Sequence, residues 1–265
     1  MNTTSGKTHL LNKITPGTSR LRLLFAAWLI AGLVLGLSPA LYAAENIILT
    51  GHFSKLAPGD PLPVKWQPLT FKKIERHTFY QVVNDNGDTV IKADSRDSAS
   101  GLIRKVAIDP QKFPYISWRW KISSVYAGGD VTRKSGDDSP ARVYITFAYD
   151  PAGAGFFEKA KYKAARLFYG ETPPLAAITY IWASRAPAEL IITSAYTNRG
   201  KMVVLQSGPT RVNRWITEKR NVYADYKKAF GKEPPMISGV AIMTDSDNTG
   251  ESATAWYGDI FFSAE

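Results

Sequence analysis

Asp245, Asp247 and Thr249 occupy alternate positions in the stretch Asp245-Ser246-Asp247-Asn248-Thr249-Gly250. Oxygen donors at the first, third and fifth places, followed by a turn-forming glycine, open an oxygen-ligand calcium loop. These three residues are therefore the candidate metal ligands and Ca2+ the candidate cofactor. An EF-hand needs a bidentate Glu at its twelfth place, and Trp256 stands there, so the loop is not an EF-hand. Asp and Asn also favour tight turns for backbone reasons alone.

A second acidic pair, Asp137 and Asp138, precedes Arg142, with Arg119 upstream and Tyr144 just beyond. A planar guanidinium can hold a carboxylate through two parallel bonds. Arg119 and Arg142 are expected to meet Asp137, Asp138, Asp245 and Asp247 at one rim, with Tyr144 and Asn248 beside them. Such a cluster either pins loops through ion pairs or forms a polar cleft for an anionic or hydroxyl-rich ligand. Glycoside hydrolysis by two of these carboxylates is a further option, one that demands a set separation between them. Other chemistry is poorly supplied. The chain has no cysteine, which excludes disulfides, thiol nucleophiles and Cys-ligated metals. Beyond the first 44 residues the histidines are His52 and His77, and no Gly-x-Ser-x-Gly elbow occurs.

The elements that position these residues read as strands. Val240, Ile242 and Thr244 alternate with Ala241 and Met243, and a second strand is expected from Ala253 to Phe262, with the acidic turn joining the two. In Pro114–Ile122, Ile116, Trp118, Trp120 and Ile122 form an apolar stripe that must be buried. Tyr115, Ser117, Arg119 and Lys121 form a cationic stripe on the opposite face. Arg142–Tyr149 alternates in the same way. Asn86-Gly87 between β-prone runs predicts a hairpin. Ser98–Gly101 reads as a turn, Asn213–Thr217 as a short strand, and Ser54–Pro68 as a segment wrapped over an edge. Helical spacing occurs in Phe156–Tyr169, and again in Asn221–Phe230 with Gly231 as the C-cap. Trp215, in a polar setting, is the candidate for an exposed aromatic platform. Many short strands with turns at steady intervals predict an all-β fold, a two-sheet antiparallel jelly-roll-like sandwich with one or two peripheral helices.

The first 44 residues differ in kind. Lys7, Lys13, Arg20 and Arg22 precede an uncharged run from Leu23 to Leu37, followed by Ser38, Pro39 and small residues to Ala44. This is the layout of a secretory leader, cleaved as a signal peptide or, since residues 23–44 can span a bilayer, retained as an N-terminal anchor. Either way residues 45–265 form a single domain outside the cytoplasm, periplasmic or extracellular. Four of the ten net positive charges belong to the leader, leaving +6 on the body. That modest excess suits a surface facing anionic envelope polymers. Nucleic acid is not an expected partner, because no Lys/Arg block with interleaved aromatics occurs. Contact with membrane is expected only through the N-terminal segment.

Several strings resemble the domain of unknown function 3047 family of exported bacterial proteins: Ser98-Ala99-Ser100-Gly101-Leu102, Trp118-Arg119-Trp120, Gly136-Asp137-Asp138 with Ala141-Arg142, and Met243 through Gly250, joined by Asp225-Tyr226 with Phe230-Gly231. The resemblance implies an exported sandwich similar to carbohydrate-binding jelly rolls and carries no catalytic residues with it. The expected function is non-catalytic binding of a glycan or other envelope component. The alternatives are a polysaccharide hydrolase with paired carboxylates and a structural envelope protein.

Overall fold

The computed structural model describes residues 46–149, 155, 156, 159, 160, 162, 163 and 174–265. These form fourteen strands and one α-helix. In chain order the strands are β1 (Ile47–Gly51), β2 (Gln67–Leu69), β3 (Phe79–Asp85), β4 (Asp88–Arg96), β5 (Ala99–Ile108), β6 (Tyr115–Ile122), β7 (Ala141–Phe147), β8 (Ala176–Ala183), β9 (Ile191–Thr193), β10 (Gly200–Ser207), β11 (Ile216–Asn221), β12 (Ile237–Asp245), β13 (Ser252–Tyr257) and β14 (Ile260–Ser263). The helix is α1 (Val222–Phe230).

Two seven-stranded sheets face each other. In the first, β6 is central. It pairs with β11 on one side, while β14 and β13 share its other side end to end, continued outward by β1 and by β4–β3. The second runs β2-β5-β12-β7-β8-β10-β9. The predicted sandwich is correct in class, with one departure: β10 lies parallel to β8, whereas every other pair is antiparallel. β9 lies along the outer edge of β10 and runs antiparallel to it.

The core sits where the alternation placed it. Ile116, Trp118, Trp120 and Ile122 are buried. Trp118 packs on Tyr180 at 5.2 Å and Trp120 on Trp182 at 6.2 Å, ring to ring across the two layers. Offset and tilted ring pairs of this kind add to the area they bury. Asn86 and Gly87 both have positive φ, 55° and 97°, so β3 and β4 close through the expected two-residue turn. The Asn221 side chain accepts from Ala224 N–H at 2.8 Å to start α1, and Gly231 ends it with φ of 69°. Val222 and Tyr226 of this helix are buried, and Tyr226 packs on Phe147 at 4.4 Å, so α1 plugs the end of the sandwich where β7 finishes.

Other expectations shift. Ser98–Gly101 is not a turn: β5 begins at Ala99 and pairs with Asp245 at its first residue. The short strand near Asn213 starts at Ile216 instead. Ser54–Pro68 does wrap an edge, leading from β1 at the border of one sheet to β2 at the border of the other. Most of the predicted helix Phe156–Tyr169 lies outside the described residues. Among the described residues no helix is long and apolar enough to cross a membrane.

The stretch from Ala253 to Phe262 is two strands. Ala255 and Tyr257 point inward and so do Ile260 and Phe262, so the alternation changes phase at Gly258-Asp259. Most important for the site, β12 and β13 are not a hairpin. They lie in different sheets, and the acidic loop between them crosses the open end of the sandwich.

Candidate functional site

Three connections meet at the end of the sandwich opposite α1: residues 126–140 before β7, the 95–99 corner between β4 and β5, and the 245–251 crossover. Sequence alternation sends Val143, Ile145 and Phe147 of β7 into the core, which leaves Arg142 and Tyr144 on the outer face of the second sheet. Arg142 pairs in register with Met243 of β12 and Ile181 of β8. Its side chain is only 4% exposed. Nε donates to Asp245 Oδ1 at 2.7 Å, and Nη2 donates to the Asp137 carbonyl at 2.6 Å and to Asp137 Oδ1 at 3.1 Å.

Asp138 serves the crossover. Its two carboxylate oxygens accept from the Asn248 and Thr249 N–H groups at 3.2 and 2.6 Å. The Asn248 amide nitrogen sits 3.2 and 3.3 Å from the Lys134 and Asp137 carbonyls and 3.0 Å from the Tyr196 hydroxyl. Gly136 makes this loop conformation possible: a Cβ there would lie 2.8 Å from Asp130 N and 2.9 Å from the Gly128 carbonyl. Glu251 holds the same loop from below, accepting from Ala127 and Gly128 N–H at 2.9 and 2.8 Å.

Burial sets the electrostatics. It pushes the Asp245 carboxyl up to about 7 against the pull of Arg142, and the nearby Asp138 charge pushes the same way. Asp247 is raised too, by burial and then by Asp138. Arg142 loses solvation, but Asp245, Tyr144 and Asp137 more than restore its charge. Burial raises the Tyr126 hydroxyl well beyond its usual range, and the adjacent charges of Asp245 and Asp138 add to the effect.

Beside this cluster the outer face of the second sheet opens as a cleft of about 880 Å³. Tyr144, Thr179 and Met202 form one row across its floor, in register on β7, β8 and β10. One wall is the 70–74 segment after β2, carrying Phe71, Lys72 and Lys73; the other is the β9–β10 turn with Tyr196. Arg142, Asp137, Asp245, Asp247 and Asn248 close the end. Phe71 and Tyr196 are 39% and 59% exposed, large rings facing solvent at opposite walls.

Of the residues singled out in the sequence, Asp137, Asp138, Arg142, Tyr144, Asp245, Asp247, Asn248 and Thr249 do come together. Arg119 does not. It lies on the outer face of the first sheet, paired with Asp88 at 2.8 Å, because β6 and β7 belong to different layers. Trp215 is not an exposed platform either: it is half-buried, donates to Asp85 at 2.7 Å and carries the Arg119 guanidinium 4.6 Å over its ring. Residues that the sequence did not mark include Tyr257, whose hydroxyl reaches from β13 to the Met243 carbonyl at 2.6 Å, tying the two layers together. Ser95 also went unmarked, and Ser98 and Ser246 entered only as members of longer strings, although the three hydroxyls join at 2.8 and 3.0 Å under the crossover. Scattered serines carry no spacing signal. For Tyr257 the signal existed, but the phase change at Gly258 disguised it.

A family described as "Protein of unknown function (DUF3047)" matches residues 64–261. The chain belongs to that family. Three of the strings that carried the resemblance, around Ser98, Asp137 and Asp245, converge at this one end of the DUF3047 domain. No curated protein matches the chain. Among solved structures it is similar to the family 11 carbohydrate-binding module of a cellulosomal cellulase of Clostridium thermocellum, with a TM-score of 0.39 and 11% identity over 82% of this chain and 93% of that one. The family 30 module of another Clostridium thermocellum cellulase gives 0.39 and 12% over 79% and 99%. A mutant family 29 carbohydrate-binding module complexed with cellulohexaose gives 0.33 and 9% over 83% and 92%. Likeness at this level assigns neither ligand nor site.

Proposed function

We propose that this chain is an exported, non-catalytic binding protein that takes a glycan or other cell-envelope component into the cleft on the second sheet. The cleft carries the reading. Its volume, about 880 Å³, falls within the range of small-ligand sites. Exposed rings at Phe71 and Tyr196 offer flat apolar faces to the C–H faces of sugar rings, while the Tyr144 and Thr179 hydroxyls on the floor supply polar partners. The leader-like first 44 residues support export.

The carboxylates argue for binding over hydrolysis. One oxygen from each of Asp138, Asp245 and Asp247 lies within 4.8 Å of the others. Two of the three are already committed, Asp245 to Arg142 and Asp138 to loop amides. With Asp245 and Asp138 so engaged, Asp247 is the one of the three left for other work, which favours binding over hydrolysis by a pair.

The test is glycan-array binding followed by calorimetry on wild type, Phe71→Ala and Tyr196→Ala. The expected result is binding by wild type that weakens at least tenfold in both variants, with unchanged melting temperatures. Binding undiminished in both variants would remove the cleft from consideration. Turnover of a bound polysaccharide, abolished in Asp247→Asn, would replace the reading with the hydrolase.

A further inference from the structure

We infer that Asp138, Asp245 and Asp247 form a site for a hard divalent cation, Ca2+ first among them, that fastens the crossover loop to the loop before β7. The inference is independent of any glycan in the cleft.

Among the described residues these three make up the one group of acids whose ligand atoms all approach within 4.8 Å of one another. Oxygens bound to one Ca2+ at roughly 2.3–2.6 Å are separated by no more than about 5 Å, so a single ion can reach all three. The donors are all oxygen, without nitrogen or sulfur, which selects calcium or magnesium over zinc or copper. The spacing in the sequence offered Asp245, Asp247 and Thr249 and lacked an acid at the twelfth place. The fold supplies the missing carboxylate from Asp138, more than a hundred residues earlier in the chain.

The charge balance points the same way. Asp137, Asp138, Asp245 and Asp247 crowd together, and among the described residues Arg142 is the only cation paired with any of them. Arg142 engages one carboxylate oxygen each of Asp137 and Asp245; among the described residues Asp247 has no ion-pair partner, and Asp245 Oδ2 accepts no hydrogen bond.

A second, separate observation concerns hydroxyls. Tyr126 is 1% exposed and Ser139 fully buried, and neither side-chain oxygen has a hydrogen-bond partner. Tyr126 lies beside Asp245 and Asp138. Ser139 adjoins Asp138, and its N–H donates to Asp245 Oδ1 at 3.3 Å. The Thr249 hydroxyl is likewise buried and unpartnered, one residue from Asn248 and with its N–H on Asp138. Buried hydroxyls without partners are costly, and those of Tyr126, Ser139 and Thr249 belong to residues next to the acids in space or in sequence. A cation with one or two coordinated waters would satisfy both groups at once, because its waters donate outward to carboxylates and hydroxyls.

The full chain, stripped with EDTA and in detergent if the leader is retained, is titrated with CaCl2 in a calorimeter and melted with and without the ion. Binding of one Ca2+ per chain and a rise of several degrees in Tm are expected. Asp247→Asn should lose both, while its Tm in EDTA should match or exceed that of wild type, since among the described residues Asp247 has no ion-pair partner to lose and the substitution removes repulsion from Asp138. Asp88→Asn, on the other sheet, should bind Ca2+ as wild type does. Absence of heat and of any Tm shift in wild type overturns the inference, as does a full shift retained by both Asp247→Asn and Asp138→Asn. Loss of glycan binding with Ca2+ binding intact would strike only the proposed ligand of the cleft.

Discussion

On the outer face of the first sheet, Lys121 and Arg119 stand on β6 between the acids of the β3–β4 hairpin and the rings of Trp215 and Trp256. Lys121 Nζ meets Asp85 at 2.6 Å and lies 4.3 Å from the centre of the Trp256 ring, and Arg119 meets Asp88 at 2.8 Å. On the outer face of the second sheet, Arg142 is buried more deeply and faces four carboxylates, two of which it holds. On the first face Arg119 and Lys121 are each matched by an acid, and the Trp215 and Trp256 rings lie beside them, so these two cations are largely covered. On the second face the acids outnumber the cation, and the floor beside it stays open as a cleft. The contrast teaches that the same residue types, on equivalent faces of one sandwich, make a sealed surface when charge is balanced locally. They make a receptive one when it is not.

The strongest way to break this comparison is to remove each face's central cation. Arg142→Met leaves buried Asp137 and Asp245 without their partner and should cost about 3–5 kcal/mol by urea denaturation. Lys121→Met strands only Asp85, which keeps the Trp215 bond, and should cost about 2 kcal/mol. Equal losses would mean that the two faces are built alike. Trp215→Ala should cost less again, about 1 kcal/mol from its bond to Asp85 and its contacts with Arg119 and Lys121.

Titration sharpens the same point. Burial opposes ionisation of Asp85, but hydrogen bonds from Lys121 and Trp215 outweigh it and hold its carboxyl below the ordinary range. A carboxyl lowered by folding contributes stability that is present above its unfolded pKa and disappears as pH falls through the folded one. Stability measured from pH 6 downward should therefore fall in the acid range, and Asp85→Asn should flatten part of that slope. A slope unchanged in Asp85→Asn would show that Asp85 contributes nothing to acid sensitivity and leave Asp94, where burial is likewise outweighed by bonds to Lys92 and Thr254, as the source on that face. The smallest effect is expected at the cleft wall, where Tyr196→Ala should change stability by no more than about 0.5 kcal/mol. A larger loss would make that wall part of the framework.

Much of this was legible beforehand. Alternation in Pro114–Ile122 named four core residues because burial of one face leaves a period of two in the chain. Asn86-Gly87 announced its turn because both positions need positive φ, and Gly231 announced the end of α1. Six of the eight residues proposed for the rim, those from Asp137 to Arg142 and Asp245 to Asn248, do meet there, with Tyr144 adjoining them on the floor. Arg119 was misplaced for a definite reason: it and Arg142 both point away from the core, and outward is two different surfaces in a two-layer fold. The parallel pairing of β10 with β8 was equally hidden, since a strand's side-chain pattern is the same whichever way its neighbour runs.

The amino-acid sequence by itself determined which side chains turn inward, where the chain reverses and that the molecule is built of strands, because each of these follows from preferences that act over a few residues. Only the tertiary structure decided that β12 and β13 part into separate layers, that Asp138 meets Asp247, and that Arg142 and not Arg119 stands among the acids. Those facts depend on strand order and register between segments a hundred or more residues apart, which are settled by the joint packing of the whole core and leave no local trace.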